Sequence, residues 1–209
     1  LLVPDMSLRE MRDGNSALET PPRYAGGLGA SGIDAIREFV TNGGTLVLLD
    51  RASELATESL GVPVQRITVP RRLTDESPSH APGAAEMVEP LYAPGSILRV
   101  LVDTTDAIAY GMPDTAAVYF TNSVTFDVHA ASQVRVIARY PDRGEDILLS
   151  GYLQGASQIA GHAAAISAPV GRGQVVMFGF RPQHRGQSYG TFRMLINALL
   201  TGGGSATRN

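Results

Sequence analysis

Apolar positions along this chain fall into two arrangements, unbroken runs and recurrences at helical spacing, and their alternation predicts the architecture. "LLVPD" (1–5) reads as a strand closed by a Pro-Asp turn, and the Gly- and Pro-rich residues 6–30 read as a long surface loop with one helical turn. "SGIDAIREFVTNGG" then carries a Ser31 cap, Ile33, Ile36, Phe39 and Val40 at helical spacing, and a stop at Asn42-Gly43-Gly44. "TLVLL" (45–49) is an unbroken run, the mark of a strand covered on both faces, and "ASELATESLG" is the next predicted helix. Strand, helix, strand, helix in succession predicts a parallel sheet joined by crossovers.

Beyond this point the pattern changes. "VQRITVP" is a predicted short strand, and "RRLTDESPSHAPGAAEMVEP" (71–90) is a polar, Pro-rich insertion. "SILRVLVD" returns to strand and "TDAIAYGMP" to a short helical turn, after which "AVYF", "TFDV", "VRVIARY" and "ILLSGYL" follow at close spacing. That spacing favours an antiparallel extension over more crossovers, so the predicted fold is α/β with a mixed sheet. "AAAISAPVGRGQVVMFGF" reads as two strands joined at Gly171-Arg172-Gly173, and "GTFRMLINALL" as a final helix with Phe192, Leu195, Ile196 and Leu199 on one side. One domain over 1–201 and a flexible tail over 202–209 complete the division, and there is no internal repeat. The abrupt start on an apolar strand predicts that part of the fold's N-terminal strand and helix is missing, as in a piece of a longer protein.

Composition narrows the chemistry. The 209 residues, 44% of them hydrophobic, suffice for one packed core. A net charge of −3 with no long block of one sign gives no reason to invoke nucleic acid or an anionic membrane. Cysteine is absent, which removes thiolate catalysis, thiolate metal sites and disulfides, and all 17 basic residues are arginine, which removes Schiff-base lysines and the phosphate-loop lysine. Nothing approaches the ~18 apolar residues that span a bilayer.

The corner after "TLVLL" is where many α/β enzymes hold a nucleophile, and here it reads Asp50-Arg51-Ala52-Ser53. No G-x-S-x-G surrounds Ser53, so an N-cap role is preferred over catalysis. The four histidines, His80, His129, His162 and His184, lack the H-x-x-E or H-E-x-x-H companions of a zinc site, and no metal is expected in this chain. Asp5, Asp50 and Asp103 each follow an apolar strand. In a parallel sheet they would gather at the carboxyl edge as a ligand-binding cluster, and alternatively each is a plain strand-end cap. "GFRPQHRGQSYGTF" (179–192) sets Arg181, His184 and Arg185 before a helix N-terminus. Such a group can receive a carboxylate or phosphate, and the competing reading is that the arginines pin the loop.

Five phrases, "GGLGASGIDAIREFVTNGGTLVLLDRASELA", "YAPGSILRV", "AIAYGMP", "ILLSGYLQG" and "GRGQVVMFGFRPQHRGQSYGTFRMLINALL", carry a resemblance. They are similar to the class I glutamine amidotransferase-like domain found C-terminal to bacterial carboxypeptidase A-like zinc peptidases, in order from about residue 1 to 201. The resemblance implies a flavodoxin-like three-layer sandwich. It also implies an upstream peptidase domain as partner and as holder of the zinc, and a periplasmic or secreted location. The amidotransferase cysteine has no counterpart at the corner, and no catalytic residue carries over.

The expected function is a non-catalytic accessory domain that packs on its own peptidase domain or binds a peptide or small anionic ligand, with no cofactor of its own. The rival is a small hydrolase or transferase. It would use Ser53 or a strand-end aspartate, His184 as base, and Arg181 or Arg185 for an anionic substrate. A small-molecule sensor is the third reading.

Overall fold

Buried apolar runs form the middle of a mixed sheet in the computed structural model, which describes residues 1–18, 20–68, 90–130, 132–186 and 189–201. The first half alternates as the pattern predicts: β1 (Leu2–Val3), α1 (Leu8–Asp13), α2 (Gly29–Thr41), β2 (Thr45–Leu49), α3 (Glu54–Ser59) and β3 (Val64–Thr68). The second half is mostly strand: β4 (Ser96–Val102), β5 (Thr115–Phe120), β6 (Val124–Val128), β7 (Arg135–Arg139), β8 (Leu148–Ser150), β9 (Ala163–Val170) and β10 (Gly173–Phe178), closed by α4 (Tyr189–Thr201). The insertion over 71–89, with His80, and the tail over 202–209 lie outside the described residues.

The main path of the sheet is β1-β2-β10-β9-β7-β4-β5. β1, β2 and β10 are parallel, and every other described pairing is antiparallel. The parallel core and antiparallel extension are both as expected. Alternate residues of β2 serve opposite layers: Leu46 and Leu48 pack with Ile33, Ile36 and Val40 of α2 and Leu55 of α3, while Val47 and Leu49 pack with Met194 and Ala198 of α4. Helices therefore cover both faces, which is why this strand shows no polar alternation.

The helical turn expected within the loop over 6–30 is α1, whose Ser7 cap and Glu10 form a reciprocal capping box. Two local expectations are corrected. α2 starts at Gly29, so Ser31 lies inside the helix, and Phe39 stays 44% exposed. α4 buries Thr191, Met194 and Ala198, with Leu195 partly packed, whereas Ile196 and Leu199 are 53% and 45% exposed. The helix has apolar residues on more than one side, and the side chosen is the one whose Asn197 amide donates to the carbonyls of Ile108 and Tyr110, at 3.0 and 2.9 Å.

β6 leaves the main path of the sheet, pairing with β9 on one side and β3 on the other, and its start meets the end of β10. Its Val124 amide donates to the Gly179 carbonyl, at 3.2 Å, while the Gly179 amide donates to Ala164, at 2.8 Å. A Cβ at Gly179 would stand 2.2 Å from the Val124 carbonyl oxygen. Gly179→Ala is expected to cost about 2 kcal/mol or more through this overlap. Gly190→Ala, at an open helical position, is expected to be neutral or to stabilise by up to about 1 kcal/mol. Urea denaturation of the two variants checks the contrast.

Candidate functional site

The chain directions decide which strand-end residues meet. β1, β2 and β10 all finish at one edge of the sheet, and they deliver Asp5, Asp50 and Arg181 there. β4 runs the opposite way, through its antiparallel pairing to β7. Asp103 therefore lies at the opposite edge, where its carboxylate accepts from the Thr105 amide and hydroxyl at 3.0 and 2.6 Å. Three of the sequence-predicted residues converge, and Asp103 stands apart from them, capping its own turn.

Asp50 is the residue that turns the corner. Its φ of +53° is left-handed, a conformation that Asp and Asn tolerate better than most residues. It is 1% exposed, and one carboxylate oxygen accepts a 2.7 Å bond from the Ser123 hydroxyl. The Arg181 guanidinium approaches the same oxygen at 3.4 Å, while the other oxygen has no hydrogen-bond partner. Burial, reinforced by the nearby Asp5 charge, pushes the Asp50 pKa up to about 6, against the opposing pull of Ser123, Arg181 and Arg51.

Ser123 is held in place by its neighbour Asn122, which takes φ +46° and exchanges hydrogen bonds with Ala93, from backbone and side chain, at 2.7 and 3.0 Å. Asp5 is the hub outside it. It accepts from Arg181 and from Arg51 Nε, the latter at 2.8 Å, and Arg51 reaches on to Glu10 of α1 at 3.5 Å. Arg181 is thereby engaged by two carboxylates, as the loop-pinning reading requires. Sequence reading missed Arg51, Glu10 and Ser123, whose only signal was their place at strand and helix ends.

Ser53 does not cap α3 with its side chain, contrary to expectation. It is fully buried, and its hydroxyl donates to the Asp50 carbonyl at 2.7 Å. The single turn over Asp50–Ser53 sets the hydroxyl on the carbonyl three residues back, and no helix amide donates to it. His184 stacks on Tyr119 of β5, ring centroids 4.4 Å apart and planes 15° from parallel. Partial burial and the cations Arg181 and Arg185 hold its pKa below the usual imidazole value. Arg185, at φ +50°, is exposed. Among the described residues no histidine hydrogen-bonds or ion-pairs with Ser53, Asp5 or Asp50, and the histidine that does approach a carboxylate is His162, 3.8 Å from Asp127. No group of three or more His, Asp or Glu side chains among the described residues could hold a metal ion.

No known family's sequence profile and no curated protein matches the chain. Solved structures do. A cytoplasmic protein of Salmonella typhimurium aligns at TM-score 0.52 and 11% identity, over 96% of this chain and 70% of that one. A putative ThuA-like protein of Bacteroides uniformis aligns at 0.51 and 10%, over 95% and 67%. A putative GMP synthase subunit of Thermoplasma acidophilum aligns at 0.47 and 8%, over 81% and 63%. The chain spans 21% of the length of a Bacillus circulans β-galactosidase that it also resembles. The fold is thus of the flavodoxin-like α/β class that the ThuA-like protein shares, and no helix among the described residues is long and apolar enough to cross a membrane.

The Asp50 charge has a readable consequence. Its folded-state pKa of about 6 lies above the ordinary 3.8. The folded chain therefore holds this proton more tightly than the unfolded one, and the Asp50 contribution to stability falls as pH rises from about 4 to about 6 and then levels. Asp50→Asn keeps the left-handed turn and the Ser123 contact without the buried charge. It is expected to abolish that part of the decline and to stabilise at pH 7 by at most about 3 kcal/mol. Chemical denaturation between pH 4 and 7 measures it.

Proposed function

We propose that this domain is a non-catalytic, amidotransferase-like accessory module of a zinc metallocarboxypeptidase-like protein, packing on its peptidase or binding that enzyme's substrate or partner. The observation that carries the reading is the state of the corner. An acyl-transfer elbow presents an exposed nucleophile beside a base and oxyanion donors. Here the corner residue is a carboxylate 1% exposed, tied to Ser123 and faced by Arg181. Ser53 is spent on the Asp50 carbonyl, and no described histidine pairs with either. Burial of the reacting position supports holding over transforming.

What solvent meets at this edge is the His184–Tyr119 stack with Arg185 and the outer side of Arg51. That surface suits a peptide carboxylate or a small anion. The peptidase context, the zinc it would hold and a periplasmic or secreted location rest on the resemblance of the sequence phrases.

Glutaminase and peptidase assays of the isolated chain, with and without added zinc, are expected to show no turnover above background. Robust turnover of either kind, abolished by Ser53→Ala or Asp50→Asn, would overturn the proposal.

A further inference from the structure

The opposite edge of the sheet holds a polar cavity of about 340 Å³, beneath the C-terminal end of α4. We propose that it binds a small organic monocarboxylate bearing a hydroxyl or amide group, apart from any role of the carboxyl edge. The row of side chains across the α4 face explains the cavity. One step inward the strands present Val47, Val176, Ala165 and Ile137, all buried in the α4-side core. At the edge the same face presents Thr45 of β2, Gln174 of β10, Ser167 of β9 and Arg135 of β7, joined at the rim by Arg172. Register places Gln174 opposite Thr45, and Ser167 opposite both Val176 and Arg135.

Ser167 is the unusual member. Its residue is 2% exposed, and its hydroxyl is buried without a hydrogen-bond partner. Leaving a hydroxyl so placed is costly, and it belongs to a residue that lines the cavity, where a small rotation of the side chain would offer it to a ligand. β7 also bulges directly beside it, the register shifting between Val136 and Ala138. Bulges of this kind re-aim side chains and recur beside binding sites.

Charge selects the ligand. Arg135 is already matched by Asp106 at 3.1 Å, so among the described residues the site offers one uncompensated cation, Arg172, which touches the Asn42 carbonyl at 3.2 Å. The C-termini of α2 and α4 both end here, and the negative ends of their dipoles oppose a second negative charge. A single carboxylate fits, whereas a phosphate dianion does not. The neutral groups of Ser167, Gln174 and Thr45 suit a polar body in preference to a hydrocarbon one, and the volume is that of a small-molecule site.

The test is a titration of the ¹⁵N-labelled chain with sodium lactate, read at the backbone amides of Ser167 and Gln174, with sodium chloride and inorganic phosphate as controls. Saturable shifts at millimolar lactate are expected, with weaker or no saturation by phosphate and none by chloride. Ser167→Ala, which removes only the unpartnered hydroxyl, is expected to weaken lactate about tenfold. Arg135→Gln, which unbalances Asp106, is expected to weaken it at least as much. Absence of saturation, tighter phosphate binding, or unchanged lactate affinity in the Ser167 variant would each overturn the proposal. The Ser167 variant alone decides if the Arg135 variant does not fold.

Discussion

The carboxyl edge is organised around one buried carboxylate in a left-handed turn. Asp50 leaves β2 at φ +53° and is sealed from water, so its charge has to be answered from within. Ser123 answers with a hydroxyl and Arg181 with a guanidinium, and Asp5 then answers Arg181. Arg51 follows, pairing outward with Asp5 and Glu10. Each partner comes from a different element, so the network ties β1, the β2 corner, the β5–β6 turn, the end of β10 and α1 together. One of the Asp50 oxygens stays unpaired, and burial outweighs the favourable contacts, which is why the carboxyl holds its proton to about pH 6.

The same arrangement shapes what the edge can do. A strand-to-helix elbow is useful to an acyl-transfer enzyme because the tight turn thrusts a nucleophile into solvent. In this chain the turn survives with a residue that points into the protein, and the start of β6 meets the end of β10, packed on Gly179. The corner is closed and charge-balanced. The His184–Tyr119 stack and Arg185 lie on its outer side.

Regular elements were legible where one physical rule governed them. "TLVLL" had to be a doubly covered strand because every position is apolar, and Gly171-Arg172-Gly173 had to turn because glycine there accepts φ +59°. The switch from spaced helices to closely spaced β runs was enough for the mixed sheet. α4 was legible as a helix but not in its facing, because apolar residues occupy several sides and only the contact with the turn after β4 selects Thr191, Met194 and Ala198. Ser53 misled for a related reason: a Ser before a helix suggests a cap, yet the tight turn sets its hydroxyl on the Asp50 carbonyl.

The sequence by itself determined the chemistry that is absent, thiolate, lysine and compact zinc motifs alike, and placed acidic residues at the ends of three strands. Tertiary structure decided which of those ends coincide. Strand direction is a property of pairing, invisible in a run of apolar letters: β1 and β2 run parallel, so Asp5 joins Asp50, while β4 runs antiparallel to β7, so Asp103 is carried to the far edge. Burial of Asp50 and the pairing with Ser123, 73 positions along the chain, likewise exist only once the sheet has closed, since water yields a carboxylate only to groups that folding brings within hydrogen-bond reach.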